Sequence, residues 1–311
     1  MAADKIKVGV VGVGYLGKIH AEKYARIPEA ELIGVADIDK ERCREMAACT
    51  HCQPFYHYGD LLGRVEAVSI AVPTLAHYGV TKDFLSAGVD VLLEKPITAT
   101  VHEAQELNTL AKERGAIFQI GHLERFNGAL AAMNGAVKSP LFIESYRFSP
   151  FSGRGTDVDV ILDLMIHDID IILSIMGPDI EGIEAVGTPF CSPHIDVAHA
   201  RIIFKNGCVA HISASRIAQE KVRKMVILQK DSHLAVDYMK QSLTITRRGK
   251  GESAGMQVDE VSRQNDPLEA QVKAFLRSVR ERTPPVCTGE DGQRALEIAL
   301  QIADVINKAM K

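Results

Sequence analysis

The tightest constraint on this chain is the glycine spacing Gly12-Val13-Gly14-Tyr15-Leu16-Gly17. It follows directly on the apolar run Lys7–Val11 and opens a helical stretch, Leu16–Arg26. Alone, such a run is weak evidence. Between a strand and a helix the glycines supply three things in turn, namely a tight turn, room for a guest to approach the backbone, and close helix–strand packing. The helix start then offers N–H groups and a partial positive charge to a phosphate. Gly12, Gly14, Tyr15, Leu16 and Gly17 are thus expected to cradle a dinucleotide pyrophosphate. Twenty residues beyond Gly17, Asp37 ends a second apolar run, Glu31–Ala36. A carboxylate there accepts hydrogen bonds from ribose hydroxyls and repels a 2′-phosphate, which favours NAD over NADP; the alternative is a plain helix-cap or turn residue.

The alternation continues through residue 122. Ala67–Val72, Val91–Leu93 and Ile117–Ile120 are further strands, apolar without polar alternation, as strands of a parallel sheet covered on both faces are. Asp39–Ala48, Leu75–Ala87 and Val101–Arg114 are helical. Thr100-x-x-Glu103 reads as a capping box, and Gly88 and Gly115 as left-handed helix ends. The pattern predicts a doubly wound α/β domain over residues 1–122.

Beyond residue 122 the rhythm changes. Leu141–Phe148, Ile180–Val186, Ala198–Phe204, Cys208–Ser215, Lys224–Leu228, Leu234–Asp237 and Ser242–Thr246 read as strands, mostly with no helix between them. Asn206-Gly207 is expected to be a two-residue hairpin turn with positive φ at both positions. A long helix, Val158–Met176, and two closing helices, one begun by Asp266-Pro267 and one over Gly292–Met310, complete residues 123–311. The expected second domain is α/β with a large, open, mostly antiparallel sheet. Arg247–Gly255 and Thr188–Asp196 read as loops.

Composition narrows the function classes. A net charge of −4 without basic runs argues against a nucleic-acid partner or a membrane-surface helix. The most apolar long window, Val158–Met176, carries Asp159, Asp163, His167, Asp168 and Asp170, which excludes it as a bilayer span. Met-Ala-Ala-Asp-Lys runs straight into the first strand, so no signal peptide and a cytoplasmic location are expected. Six cysteines in a chain of this length do not form a disulfide framework. Cys49-x-x-Cys52, near Cys43, His51 and His57, has zinc-ligand spacing, but no second pair follows at a zinc-finger distance, and no metal is expected.

Two further groups carry chemistry. Val72-Pro73-Thr74, with His77 just beyond, and Glu94-Lys95-Pro96 close strands at the carboxyl edge of the parallel sheet, where ligands bind. The first is expected beside the nicotinamide ribose. Lys95 can donate to a substrate hydroxyl and stabilise developing negative charge on its oxygen. The second group is Asp163-x-x-x-His167-x-x-Asp170. Residues four apart share a helix face, so Asp163 can orient an imidazole at His167, the side chain titrating nearest neutrality. A stripe of capped or buried polar residues is the plainer alternative.

Taken together, Gly12–Gly17, Ala71-Val72-Pro73, Glu94-Lys95-Pro96 and Asp163-x-x-x-His167-x-x-Asp170 resemble the glucose–fructose oxidoreductase / inositol dehydrogenase / MocA family over essentially the whole chain. The resemblance implies a Rossmann domain binding NAD and a second domain for substrate and oligomerisation, with dimers or tetramers built on its sheet. It puts the family's lysine on Lys95, its acid/base histidine on His167 and the supporting aspartate on Asp163, with a cis bond before Pro96. Gly121-His122-Leu123-Glu124-Arg125-Phe126-Asn127 resembles the branch that oxidises the 3-hydroxyl of UDP-N-acetylglucosamine ahead of an aminotransferase, on the route to diamino sugars of lipid A. That likeness makes His122, Arg125, Asn127 and Arg154 candidates to hold the substrate, arginine suiting a diphosphate; salt bridges and loop hydrogen bonds are the alternative. A free polyol such as inositol is a second possible substrate. A non-catalytic dinucleotide-binding regulator is the reading of another class, and it would be expected to lack Lys95 or His167.

Overall fold

A computed structural model describes residues 4–133, 135–151, 153, 158–249 and 255–310. Arg154 lies outside the described residues. The chain divides into two compact units, one of Met1–His122 with Leu268–Gln293, the other of Leu123–Pro267 with Arg294–Lys311.

The first unit alternates β1 (Ile6–Val11), α1 (Tyr15–Arg26), β2 (Ala30–Ala36), α2 (Lys40–Thr50), β3 (Gln53–Phe55), β4 (Ala67–Ile70), α3 (Thr74–Ser86), β5 (Asp90–Leu93), α4 (Val101–Arg114) and β6 (Phe118–Ile120). Its six strands, all paired in parallel, run in the order β3-β2-β1-β4-β5-β6. The order reverses beside β1, which makes the β1–α1 turn the switch point where a doubly wound sheet takes its ligand. β3 carries no sequence signal, being three residues centred on Pro54 at a sheet edge. The capping box forms as expected: Thr100 Oγ1 accepts from Glu103 N while Glu103 reaches back to Thr100 N.

The second unit holds α5 (Gly128–Met133), β7 (Pro140–Phe148), one π-helical turn (Ile161–Met165) leading into α6 (Ile166–Met176), then β8 (Ile180–Thr188), β9 (Val197–Phe204), β10 (Val209–Ser215), β11 (Val222–Gln229), β12 (Ser232–Asp237), β13 (Ser242–Arg248) and β14 (Met256–Ser262). Eight strands in the order β14-β13-β12-β11-β7-β10-β9-β8 make one sheet, antiparallel except for the β7–β10 pair. β14 adds a strand where no apolar alternation announced one. At the β9–β10 hairpin Gly207 alone takes positive φ (86°): its N–H closes a turn on Phe204 O, and Asn206 Oδ1 accepts from Cys208 N. This is a longer loop with one left-handed glycine rather than the expected two-residue turn.

α7 (Pro267–Glu281) corrects the domain boundary. Its apolar stripe, Val272, Phe275, Leu276 and Val279, packs into the first unit's core with Val8, Val10 and Leu92. The i, i+3, i+4, i+7 spacing announces a buried face but not which sheet will cover it. The closing helix α8 (Gly289–Ala309) instead gives Ala295, Ala299, Ile302 and Ile306 to the core of the second unit. Among the described residues no helix is long and apolar enough to cross a membrane.

Candidate active site

In the first unit the three glycines serve different ends. Gly12 has φ of 81°, and a Cβ on it would stand 2.5 Å from Ala71 O. A Cβ on Gly17 would stand 1.7 Å from Gly12 O, so that glycine lets α1 lie on β1. Around a Cβ on Gly14 there is nothing within 4 Å. Gly14 is also the N-cap of α1, and no side chain caps the helix. The chain therefore leaves open the spot where free N–H groups and the helix dipole favour an anion.

That spot belongs to a cavity of about 770 Å³ lined in part by Gly12, Gly14, Tyr15, Leu16, Asp37, Val72, Pro73, Glu94 and Lys95. Asp37 is nearly buried, and its two oxygens accept from Val13 N and Asp39 N at 2.8 Å each. It is thus pinned at the β2 end, and a carboxylate oxygen can still accept a ribose hydroxyl. The helix cap of α2 is Asp39, not Asp37. Ile38, Arg42, Tyr56, His57 and Tyr58 also line the cavity. Sequence reasoning missed them; the signal was Ile38, an apolar residue beside the expected ribose carboxylate and almost fully exposed. An open glycine turn, an uncapped helix end and a fixed carboxylate are the donor and acceptor set an NAD adenosine diphosphate requires.

Three expected cofactor contacts resolve differently. Gly17 is a packing glycine. Thr74 is the first residue of α3 behind the cap Pro73 and does not line the cavity. His77 is buried, with Nδ1 2.8 Å from Pro96 O and Nε2 2.9 Å from Val72 O. Burial holds its pKa below the ordinary value, against the pull of those carbonyls and of Glu94. A neutral ring has one N–H, so His77 donates to only one of the two carbonyls, Pro96 O or Val72 O.

Glu94 is buried beneath the cavity. It pairs with His20 Nε2 at 3.1 Å, and His20 Nδ1 and the Tyr24 hydroxyl both reach Ser69 Oγ. Burial alone would push the Glu94 carboxyl up, but the His20 hydrogen bond and neighbouring positive charge, Lys95 included, outweigh it and hold it low. Gly121 leaves room for this carboxylate, since a Cβ there would meet Glu94 Oε1 at 2.8 Å. Lys95 follows on the cavity wall, and the Lys95–Pro96 bond is cis.

In the second unit the acidic helix divides its charges. Asp163 lies within the π turn, in which Ile166 N bonds back five residues to Ile161 O. Such turns recur at functional sites. Asp163 and His167 are half-buried, whereas Asp168 and Asp170 are buried. Asp168 accepts Arg147 Nε at 2.6 Å, and Arg147 Nη1 donates to Glu124 Oε1 at 2.8 Å. Burial opposes the Arg147 charge, but Asp168 and Glu124 more than restore it. Asp170 takes Arg125 in a two-point pair, Nε–Oδ2 2.6 Å and Nη2–Oδ1 2.7 Å.

Two expected substrate contacts have partners within the protein. Arg125 spends its planar fork on Asp170. Asn127 is buried, donating to Glu124 Oε2 and Tyr238 O and accepting from Ala129 N, so it closes a local turn. His122 is buried at the end of the first unit. Arg147 was overlooked, although it falls on the side of β7 shared by buried Ile143 and Ser145. Among the described residues no three His, Cys, Asp or Glu gather as a metal site, and Cys43 Sγ is buried near Val35 O and Phe55 O.

Residues 6–122 match the profile of an oxidoreductase family with an NAD-binding Rossmann fold, and residues 120–233 that of the GFO/IDH/MocA C-terminal domain. The UDP-N-acetylglucosamine 3-dehydrogenase of Acidithiobacillus ferrooxidans is 38% identical over 304 residues, 96% of each chain. A crystal structure of that enzyme superposes with a TM-score of 0.94 at 36% identity, covering 99% of this chain and all of the other. The myo-inositol 2-dehydrogenase of Thermotoga maritima is 25% identical, covering 94% of this chain and 93% of its own. The scyllo-inositol dehydrogenase of Lactobacillus casei, solved with NAD(H) and scyllo-inositol, shares the fold with a TM-score of 0.83 at 23% identity, covering 98% of each chain. On these matches, and on a glycine turn, a carboxylate and a lysine brought to one cavity, the chain belongs to the GFO/IDH/MocA family of NAD-binding oxidoreductases.

Proposed function

We propose that this chain oxidises the 3-hydroxyl of UDP-N-acetylglucosamine to the 3-keto sugar. NAD, when bound, accepts the hydride from the carbinol carbon. The protein's own residues manage the other half of the reaction. His167 takes the hydroxyl proton, Asp163 one turn earlier orients the imidazole and supports its charge, and Lys95 donates to the sugar oxygen as its charge builds. The observation that carries this reading is the division of the acidic helix: Asp168 and Asp170 are locked to arginines, while Asp163 and His167 remain half-buried. The relative 38% identical along nearly the whole chain supplies the substrate.

The same reading has the protein work in the cytoplasm, as a homodimer or homotetramer assembled through the eight-stranded sheet. Its ketone product is drained by an aminotransferase. Relatives acting on inositol make a free polyol the competing substrate. The test is NADH formation from UDP-N-acetylglucosamine, N-acetylglucosamine and myo-inositol in parallel. Turnover is expected with the nucleotide sugar alone, and turnover with inositol alone contradicts the reading. His167→Ala should lower turnover by about two to four decades with NAD binding intact; near-normal turnover removes the role given to His167.

A further inference from the structure

Arg125 is paired with Asp170 and Arg154 lies outside the described residues, so the other cations of the second unit bear on where a diphosphate could sit. We propose that Lys221 and Arg223, where the chain enters β11, form its seat, an inference that rests on the nucleotide-sugar reading above. Two residues apart in extended chain, they share a face, the one that continues into buried Met225 and Ile227. Arg223 stands directly opposite Arg147 in the β7–β11 register, and like charges in that relation repel.

The local carboxylate relieves this crowding only in part. Glu124 Oε1 is taken by Arg147 at 2.8 Å, and Oε2 by Asn127 Nδ2 at 3.1 Å. Arg223 Nη1 reaches the same Oε1 only at 3.4 Å, and its side chain stays about a third exposed. Lys221 is exposed, and its ammonium is pushed down first by the Arg223 charge and then by burial. A planar fork and a point charge, half-neutralised and side by side, suit two linked phosphates better than they suit each other. Asp163 also acts on the Arg223 charge, so the cation pair lies in the electrostatic field of the helix that carries His167. A sugar held there by its diphosphate would present its ring to that helix, and a free polyol would gain nothing from the pair.

The test compares wild type with Arg223→Ala, Arg223→Lys and Lys221→Ala. Each alanine variant should raise KM for UDP-N-acetylglucosamine about 10- to 100-fold with kcat within a few-fold, and weaken competitive inhibition by UDP to match. Arg223→Lys should recover part of the loss. The rise of KM with salt should flatten in the variants, while NADH binding stays unchanged, which separates a substrate seat from a cofactor seat. UDP binding by calorimetry makes the two ideas separable. If wild type binds UDP, weakly binds uridine and turns over no nucleotide sugar, the proposed function fails and the seat stands. If turnover stands and Lys221→Ala and a folded Arg223→Ala keep wild-type KM and UDP inhibition, the seat is overturned. Should Arg223→Ala not fold, exposed Lys221 alone decides. No UDP binding by wild type overturns the seat as well.

Discussion

Arg147 on β7 and Asp168 on α6 form a buried two-point ion pair, Nε–Oδ2 2.6 Å and Nη2–Oδ1 3.3 Å. It fixes how α6 is rolled against the sheet. His167, the preceding residue, is turned about 100° away on the half-buried side. Arg147→Met takes the buried arginine from Asp168 and leaves Glu124 with only Asn127 and the longer Arg223 contact, and should cost about 3–5 kcal/mol of unfolding free energy in urea titrations. A loss under about 1 kcal/mol would mean that the pair does not anchor the helix.

The two glycines of the cradle make opposite predictions. Gly17→Ala drives a methyl against Gly12 O and should lower the melting temperature sharply. Gly14→Ala meets no atom within 4 Å, so stability should be unchanged while NADH binding weakens about tenfold or more, because the methyl occupies the phosphate approach. Fluorescence titration with NADH alongside thermal unfolding checks both. Equal NADH affinity in wild type and Gly14→Ala would place the pyrophosphate elsewhere.

This division of labour marks how far the sequence reached. Strand–helix alternation, the glycine turn and the cation at the end of β5 were legible because local periodicity and turn chemistry determine them. The π turn around Asp163 was not, since spacing alone does not distinguish a five-residue from a four-residue backbone bond. Nor did the motif reveal that Arg125 and Asp170 satisfy each other, because pairing between distant charges is settled by tertiary packing. The assignment of α7 to the first unit escaped for the same reason.

Asp37 should govern cofactor choice. Asp37→Ser removes the charge that repels a 2′-phosphate, and Arg42 Nη1, 3.8 Å from Asp37 Oδ2, is already at hand to receive one. kcat/KM for NAD should fall about 10- to 100-fold, as for loss of a charged hydrogen bond, and the NADP/NAD ratio should rise. An unaltered ratio would show that Asp37 does not face the ribose.

His77 predicts acid sensitivity. Burial sets its folded pKa below the unfolded value of about 6.5, so between the two the unfolded chain binds the additional proton. Its contribution is therefore complete above that unfolded value and is lost as pH falls toward the folded one. Urea midpoints at pH about 7.5 and about 5.5 should drop further for wild type than for His77→Gln. Identical drops would assign the acid response to other groups.

The most direct measurement follows the hydrogen on sugar C3. UDP-N-acetylglucosamine carrying deuterium there should yield reduced cofactor one mass unit heavier, with a slowed single-turnover rate and a 3-keto product that has lost its label. Unlabelled NADH formed beside product that retains deuterium would contradict oxidation at this carbon.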